Sequence, residues 1–92
     1  MVNLPALPAR LTHVEARACL AACEAALRGA PAGTGAALDA SALQAFDSSA
    51  VAVLLALRRA ALARSVTLKL QGLSPRLREL AALYGVGELL PG

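Results

Sequence analysis

Aromatic side chains are almost missing from this sequence of 92 residues, which has no tryptophan, one phenylalanine and one tyrosine. Domains that bind nucleic acid usually combine a basic stripe with stacking aromatics or a recognisable motif. Here the nine basic residues are scattered along the chain, and the one adjacent pair is Arg58-Arg59. The sequence therefore argues against nucleic-acid binding, in spite of a net charge of +3.

Long hydrophobic runs are also missing. The longest apolar stretch, Ala50 to Leu57, ends at Arg58, far short of the ~20 residues that a membrane-spanning helix needs. The opening segment, MVNLPALPAR, has no basic region followed by an uninterrupted apolar segment, as a signal peptide would have. We therefore expect no direct membrane insertion and a cytoplasmic location.

Residues that carry catalytic or metal chemistry are few. His13 is the sole histidine, and the sequence has no glycine-rich phosphate loop and no carboxylate pair at a useful spacing. Cys19 and Cys23 are four residues apart in a helical segment, where a disulfide is geometrically awkward and a metal would need further ligands. We therefore expect no enzymatic activity, no metal and no cofactor, with both cysteines acting as small hydrophobic side chains of the core.

What the sequence does contain is 58% hydrophobic residues, mostly alanine, leucine and valine, enough for one domain over residues 1–92. Pro5 and Pro8 restrict any strands in residues 1–11 to short or irregular pieces. A capping box, Thr12 with Glu15, predicts the start of a first helix, and Gly29 predicts its end.

Strand and helix signals then alternate. Residues 36–39 are predicted to form a buried strand, and residues 66–71 alternate apolar and polar side chains as a half-buried strand does. Ser74-Pro75 is typical of a helix start and Gly85 of its end, whereas the conformation of residues 41–46 stays open. The alternation predicts an α/β layer with helices against a small sheet.

A second helix, predicted over residues 49–63, is apolar around nearly its whole circumference in the early turns. Such a helix is buried on more than one side. It is either central to the fold or covered by a partner protein.

Residues 38–57, LDASALQAFDSSAVAVLLAL, resemble the signature of the STAS-domain family. In that family a strand ending in aspartate leads through a short turn to an Asp-Ser-Ser/Thr-Gly element that opens an apolar helix. The matching positions are Asp39 and then Asp47-Ser48-Ser49, while Ala50 stands where the family usually has glycine. The stretch 66–91, with its helix ending in Leu-Tyr and its closing Leu-Pro, is similar to the MlaB branch of the family.

The resemblance implies a single STAS-like α/β domain, with helices packed against a small mixed sheet. It also implies a non-enzymatic accessory subunit that binds the ATPase subunit of a phospholipid-transport ABC complex, at the inner face of the inner membrane through that partner. The alternative is an anti-sigma-factor antagonist, whose partner kinase phosphorylates a serine. A small-ligand carrier would need a cavity that an alanine-rich core of this size hardly offers.

The same resemblance implies that Asp47, Ser48 and Ser49 bind the partner or accept a phosphate, with Ser48 critical and Ser49 the alternative. Because they precede a helix, an anion is favoured there by the unpaired amides and the helix dipole, and a phosphate would add about −1.5 to −2 charges. The plainer interpretation is an N-cap in which Asp47 or Ser48 accepts amide hydrogen bonds. Further expected partner contacts are Val51, Leu54, Arg58 and Tyr84.

Overall fold

Helices and short strands alternate along the chain in the computed structural model, which describes residues 2–89. The α/β class expected from the sequence is confirmed, while the closing Leu90-Pro91 of the resemblance lies outside the described residues. In chain order the elements are β1 (Val2–Asn3), β2 (Arg10–Leu11), α1 (Ala16–Leu27), β3 (Gly35–Asp39), β4 (Ala45–Phe46), α2 (Ser48–Ala63), β5 (Thr67–Gln71), α3 (Pro75–Leu83) and a 3-10 helix, η1 (Gly87–Leu89).

The sheet was expected to be mixed, but every pairing between the described strands is parallel. β3 lies between β1 and β5, and β2 pairs separately with β4. Parallel strands need a crossover connection, commonly a helix, and here α1 lies between β1 and β3 in the chain and α2 between β3 and β5. The prolines keep the N-terminal strands short, as predicted, yet the segment stays beside β3 because the Leu4 amide donates to the Ala37 carbonyl at 2.9 Å.

The capping box of α1 forms only in part, and the helix begins at Ala16 rather than directly after Thr12. The Glu15 carboxylate accepts hydrogen bonds from the Thr12 amide at 2.8 Å and from its hydroxyl at 2.7 Å. The hydroxyl accepts at 3.3 Å from the Val14 amide and not, as the box requires, from the Glu15 amide. That amide donates to the Thr12 carbonyl at 3.1 Å, which makes residues 12–15 a turn before the helix.

α2 is the central helix of the described chain, packed against α1, β5 and α3. This explains why it is apolar on so many sides: each flank meets a different neighbour. No helix within residues 2–89 has the length and apolarity that crossing a membrane requires. The α2 side chains that are buried are Ala50, Val51, Val53, Leu54, Leu57 and Ala61.

One strand, β4, was not predicted, since residues 41–46 gave no clear pattern. It is two residues long and pairs with β2, and the amides of Gln44 and Ala45 donate to the Ala9 carbonyl at 2.8 and 2.9 Å. β4 ends at Phe46, so the chain leaves a sheet pairing directly into Asp47 and α2. This short strand fixes the position of the Asp-Ser-Ser element.

Candidate partner-binding site

Asp47 is the N-cap of α2. Its backbone is extended (φ −124°), and its Oδ1 accepts a hydrogen bond from the Ser49 amide at 2.8 Å. The other carboxylate oxygen accepts from the His13 amide at 3.3 Å, which ties the turn before α1 to the start of α2. The Ser49 amide above all holds the pKa of Asp47 below its ordinary value. Asp47 therefore builds the site rather than presenting a free carboxylate, and it, not Ser48, is the side chain that caps the helix.

Ser48 and Ser49 face different surroundings. Successive side chains of a helix point about 100° apart, so the two serines do not share one surface. Ser48 is exposed and lines a groove between α2 and the end of α3. Ser49 is half-buried and lines a different groove, between α1 and α2, together with Leu20 and Ala56. The two candidate serines therefore belong to separate surfaces.

The groove beside Ser48 has a volume of about 320 Å³ and is lined by Ser48, Val51, Ala52, Leu55 and Tyr84. We call this the Ser48–Tyr84 groove. The side chain of Tyr84 is 57% exposed. Because tyrosine is a large side chain, a partner protein that covered it would bury much apolar area. Exposed tyrosines beside small apolar depressions are frequent anchors of protein interfaces. The fold thus brings together Ser48 and Tyr84, which are far apart in the chain.

Of the three other expected contact residues, Leu54 and Arg58 lie outside the Ser48–Tyr84 groove and Val51 is buried at its floor. Leu54 is 0% exposed and packs in the core, and Val51, at 3%, reaches only the floor of the groove. Both side chains are occupied by the packing of α2 against its neighbours, so they support the fold rather than offer a contact surface. Arg58 is half-buried and lines another groove, beside β5.

Ala52 and Leu55 complete the Ser48–Tyr84 groove, and neither was predicted from the sequence as a contact residue. They follow Ser48 by four and seven residues, and this spacing places side chains on one face of a helix. That spacing was visible in the sequence. The sequence did not single out this face of the helix, because apolar residues surround the early turns of α2 on nearly every side and no single apolar face can be distinguished.

A contact between Arg76 and Phe46 connects the start of α3 to the strand before Asp47. The guanidinium carbon lies 5.5 Å from the ring centroid, within the range of a cation–π interaction. Ser74 begins α3 as predicted, accepting from the Leu77 amide at 3.2 Å. These contacts orient α3, whose last turn carries Tyr84 to the groove.

The two cysteines do not add a reactive centre. Cys23 is 1% exposed and belongs to the core, as expected, whereas Cys19 is half-buried at its edge. Burial raises the pKa of Cys23 to about 11, and it also raises that of Cys19, so both thiols stay protonated near neutral pH. No three potential metal ligands cluster anywhere within residues 2–89.

A family described as "Mlab, STAS domain" matches residues 6–91, nearly the whole chain. The chain belongs to the STAS-domain family. The match is to the MlaB type of STAS domain, and no curated protein sequence matches the chain significantly. Domains of this family are small accessory or regulatory interaction modules and are generally non-catalytic.

This STAS domain departs from the family signature at Ala50. The residue is 0% exposed and lies within the hydrophobic core. Its methyl group therefore has room on the inner side of α2, where it adds apolar contact instead of disturbing the helix start. The substitution leaves the exposed side of the Asp-Ser-Ser element unchanged.

Proposed function

We propose that this STAS domain is a non-enzymatic accessory subunit that binds the ATPase subunit of a phospholipid-transport ABC complex. Binding would support the assembly or activity of that complex and would hold the domain at the inner face of the inner membrane. The match to the MlaB type supports the choice of partner. The observation that carries a docking role is the Ser48–Tyr84 groove, an apolar surface with a hydroxyl at one end and an exposed aromatic ring.

Docking at this groove has a simple physical basis. A partner side chain that covers Leu55 and Ala52 removes apolar area from water, and Tyr84 adds a large side chain with few rotatable bonds. The hydroxyl of Ser48 can donate or accept a hydrogen bond to the partner backbone. Neither the apolar contacts nor this hydrogen bond requires the domain to change shape. β4 and Asp47 fix the start of α2 on one side of the groove, and α3 fixes Tyr84 on the other.

The surface continues beyond the groove at Leu83, which is 83% exposed. Leu83 is the last residue of α3 and Tyr84 is its C-cap, and both side chains are exposed, so this end of the helix presents an apolar edge. Large apolar side chains grouped on a small domain are a feature of protein interfaces. We infer that the ATPase covers this edge together with the groove.

Co-expression with the cognate ATPase subunit tests the proposal. We expect the tagged domain to retain the ATPase through affinity purification and gel filtration as a stable complex. Failure to co-purify, combined with phosphate incorporation at Ser48 or Ser49 by a partner kinase, would reject the transport role in favour of the anti-sigma-factor antagonist. Gel filtration with a non-cognate ATPase of the same fold is the control for unspecific association.

A further inference from the structure

β5 lies at one edge of the three-stranded sheet within the described residues. Its Thr67 amide donates to the Thr34 carbonyl at 3.0 Å, and its Gln71 carbonyl accepts from the Ala40 amide at 2.7 Å. Because backbone groups alternate in direction along a strand, Leu68 and Leu70 direct their amides and carbonyls away from β3. Among residues 2–89, no other backbone hydrogen bond outside the β3 pairing reaches them. The edge therefore offers two donors and two acceptors.

The groove that Arg58 lines lies directly beside this edge and has a volume of about 200 Å³. Leu62 at the end of α2 is 57% exposed there, and Leu89 of η1 is 40% exposed. Leu68 and Leu70 also line the groove, together with Thr67 at the start of β5, whereas Lys69 and Gln71 are exposed and lie outside it. A strand added to β5 would direct every second side chain into this groove. We call the edge and the groove together the β5 edge site.

Positive charge lies on both faces of the β5 edge site. Arg58 lines the groove, and Lys69 stands in the middle of β5 on the exposed face. Neither side chain belongs to the ion pairs that the structure describes, Arg10 with Glu15 and His13 with Asp47. An added strand would therefore meet two cationic side chains, which favour acidic side chains opposite them.

We propose that the β5 edge site binds an extended segment of another protein that alternates aliphatic and acidic side chains. The aliphatic residues fill the groove beside Leu62 and Leu89, the acidic residues face Lys69, and the segment's backbone pairs with Leu68 and Leu70. A second copy of this chain fits poorly, because antiparallel pairing of two β5 strands about their centre places Lys69 opposite Lys69.

The β5 edge site is separate from the Ser48–Tyr84 groove. Ser48 and Leu62 lie at opposite ends of α2, and a rise of about 1.5 Å per residue separates them by roughly 21 Å. The proposal therefore does not depend on the proposed function. Both surfaces could be occupied at once by two segments of one assembly.

The test is an NMR titration of the ¹⁵N-labelled full chain with an acetylated, amidated peptide, Ser-Val-Glu-Val-Glu-Val-Ser. We expect saturable shifts centred on the amides of Leu68 and Leu70, with slower hydrogen exchange at both. A peptide with lysine in place of glutamate should bind about fivefold more weakly, the effect of reversing one cross-strand charge pair. A peptide N-methylated on alternate residues should not bind, because it keeps the side chains but loses the main-chain pairing.

Lys69→Glu should reverse the preference between the two charged peptides, and Arg59→Glu should not, because Arg59 is exposed on α2 outside the groove. Unchanged spectra, or shifts confined to the surroundings of Ser48 and Tyr84, would overturn the proposal. So would sedimentation showing that the chain dimerises through β5 and excludes the peptide. Binding by a chain that ends at Leu89, where the full chain does not bind, would assign the edge to the chain's own last residues and overturn it as well.

Discussion

Ser48 and Ser49 are neighbours in the chain, yet they line grooves on different flanks of α2. Ser48 is the first residue of the helix and is exposed beside Tyr84. Ser49 is the next residue. Its amide donates a hydrogen bond to the Asp47 carboxylate, and its side chain lines the groove between α1 and α2. A modification or substitution at one serine therefore acts on a different surface from the same change at the other.

Ser48→Glu should abolish binding of the ATPase and leave the fold intact. A charge placed in a desolvated contact without a partner costs about 2–5 kcal/mol of binding, whereas an acidic side chain at a helix N-terminus is neutral or mildly stabilising. Ser49→Glu is the matched control and should retain binding. The measurements are a pull-down of the ATPase and a thermal melt of each isolated variant.

Two results would contradict this assignment. If Ser48→Glu binds normally with an unchanged melt, Ser48 lies outside the interface. If binding is lost only because the melt collapses, the residue serves the helix start and not the partner.

Tyr84→Ala should weaken ATPase binding by about 2 kcal/mol or more if the ring is an interface anchor. Its effect on the free energy of unfolding should stay within about 0.5 kcal/mol, because the side chain is 57% exposed. Val14→Ala provides a control of similar exposure, 66%, in the turn before α1 and outside both proposed binding surfaces. Titration calorimetry with the purified ATPase would separate them, and equal losses for both would argue against the Ser48–Tyr84 groove.

The sequence predicted helices best where capping chemistry is local. Asp47 and Ser74 cap their helices through their own side chains, and such signals need no knowledge of the rest of the fold. The Thr12 hydroxyl does not cap α1, because the helix begins only at Ala16 and the amide that the hydroxyl accepts is that of Val14, in the preceding turn.

The residues that line the Ser48–Tyr84 groove could be predicted only in part. Ser48 was identified through the family resemblance, but the burial of Leu54 depends on three neighbouring elements that sequence spacing cannot order in space. β4 was missed for a related reason: a two-residue strand is defined by its pairing with β2 and not by its own pattern.

Stability should fall in acid partly because Asp47 becomes protonated. Its pKa is lowered in the folded state, mainly by the Ser49 amide. The ionised carboxylate therefore stabilises the fold at pH values above the ordinary pKa of 3.8. That contribution disappears as the pH falls from about 4 through the lower folded pKa. Asp47→Asn keeps a capping side chain that does not titrate.

Thermal melts of the wild type and Asp47→Asn between pH 2 and pH 7, a range that brackets the usual carboxyl values of about 4, would measure this effect. We expect the variant to lose less stability on acidification than the wild type. Some acid sensitivity should remain, because the pKa values of Glu15 and Asp39 are also lowered by their hydrogen bonds. Identical pH profiles would show that Asp47 contributes nothing through its charge.

Alkylation should distinguish the two thiols. Raising the pKa of Cys23 from 9.0 to about 11 lowers its thiolate fraction near neutral pH by about a hundredfold, and its 1% exposure adds a steric barrier. Iodoacetamide labelling of the folded protein, read by mass spectrometry, should therefore modify Cys19 first. In denaturant the two should react at similar rates, and preferential labelling of Cys23 in the folded state would refute its place in the core.

Gly72 should tolerate a side chain much less well than Gly33, although both have positive φ, 73° and 87°. A Cβ at Gly72 would lie 2.8 Å from the Cβ of Ser41 and 3.0 Å from its backbone, whereas nothing lies within 4 Å of one at Gly33. Gly33→Ala should therefore lower the free energy of unfolding only by the cost of a Cβ in the left-handed backbone conformation, about 1–2 kcal/mol. Gly72→Ala carries the same penalty plus about 1–3 kcal/mol for the overlap.

Urea denaturation of both variants would give the two losses in the free energy of unfolding. Because Ser41 opens the segment that leads through β4 to Asp47, a displaced Ser41 should also disturb the start of α2. We therefore expect Gly72→Ala to shift the NMR amide signals of Ser48 and Ser49, and Gly33→Ala to leave them in place. Equal losses in stability, with no shift at either serine, would show that the contact between Gly72 and Ser41 does not position the site.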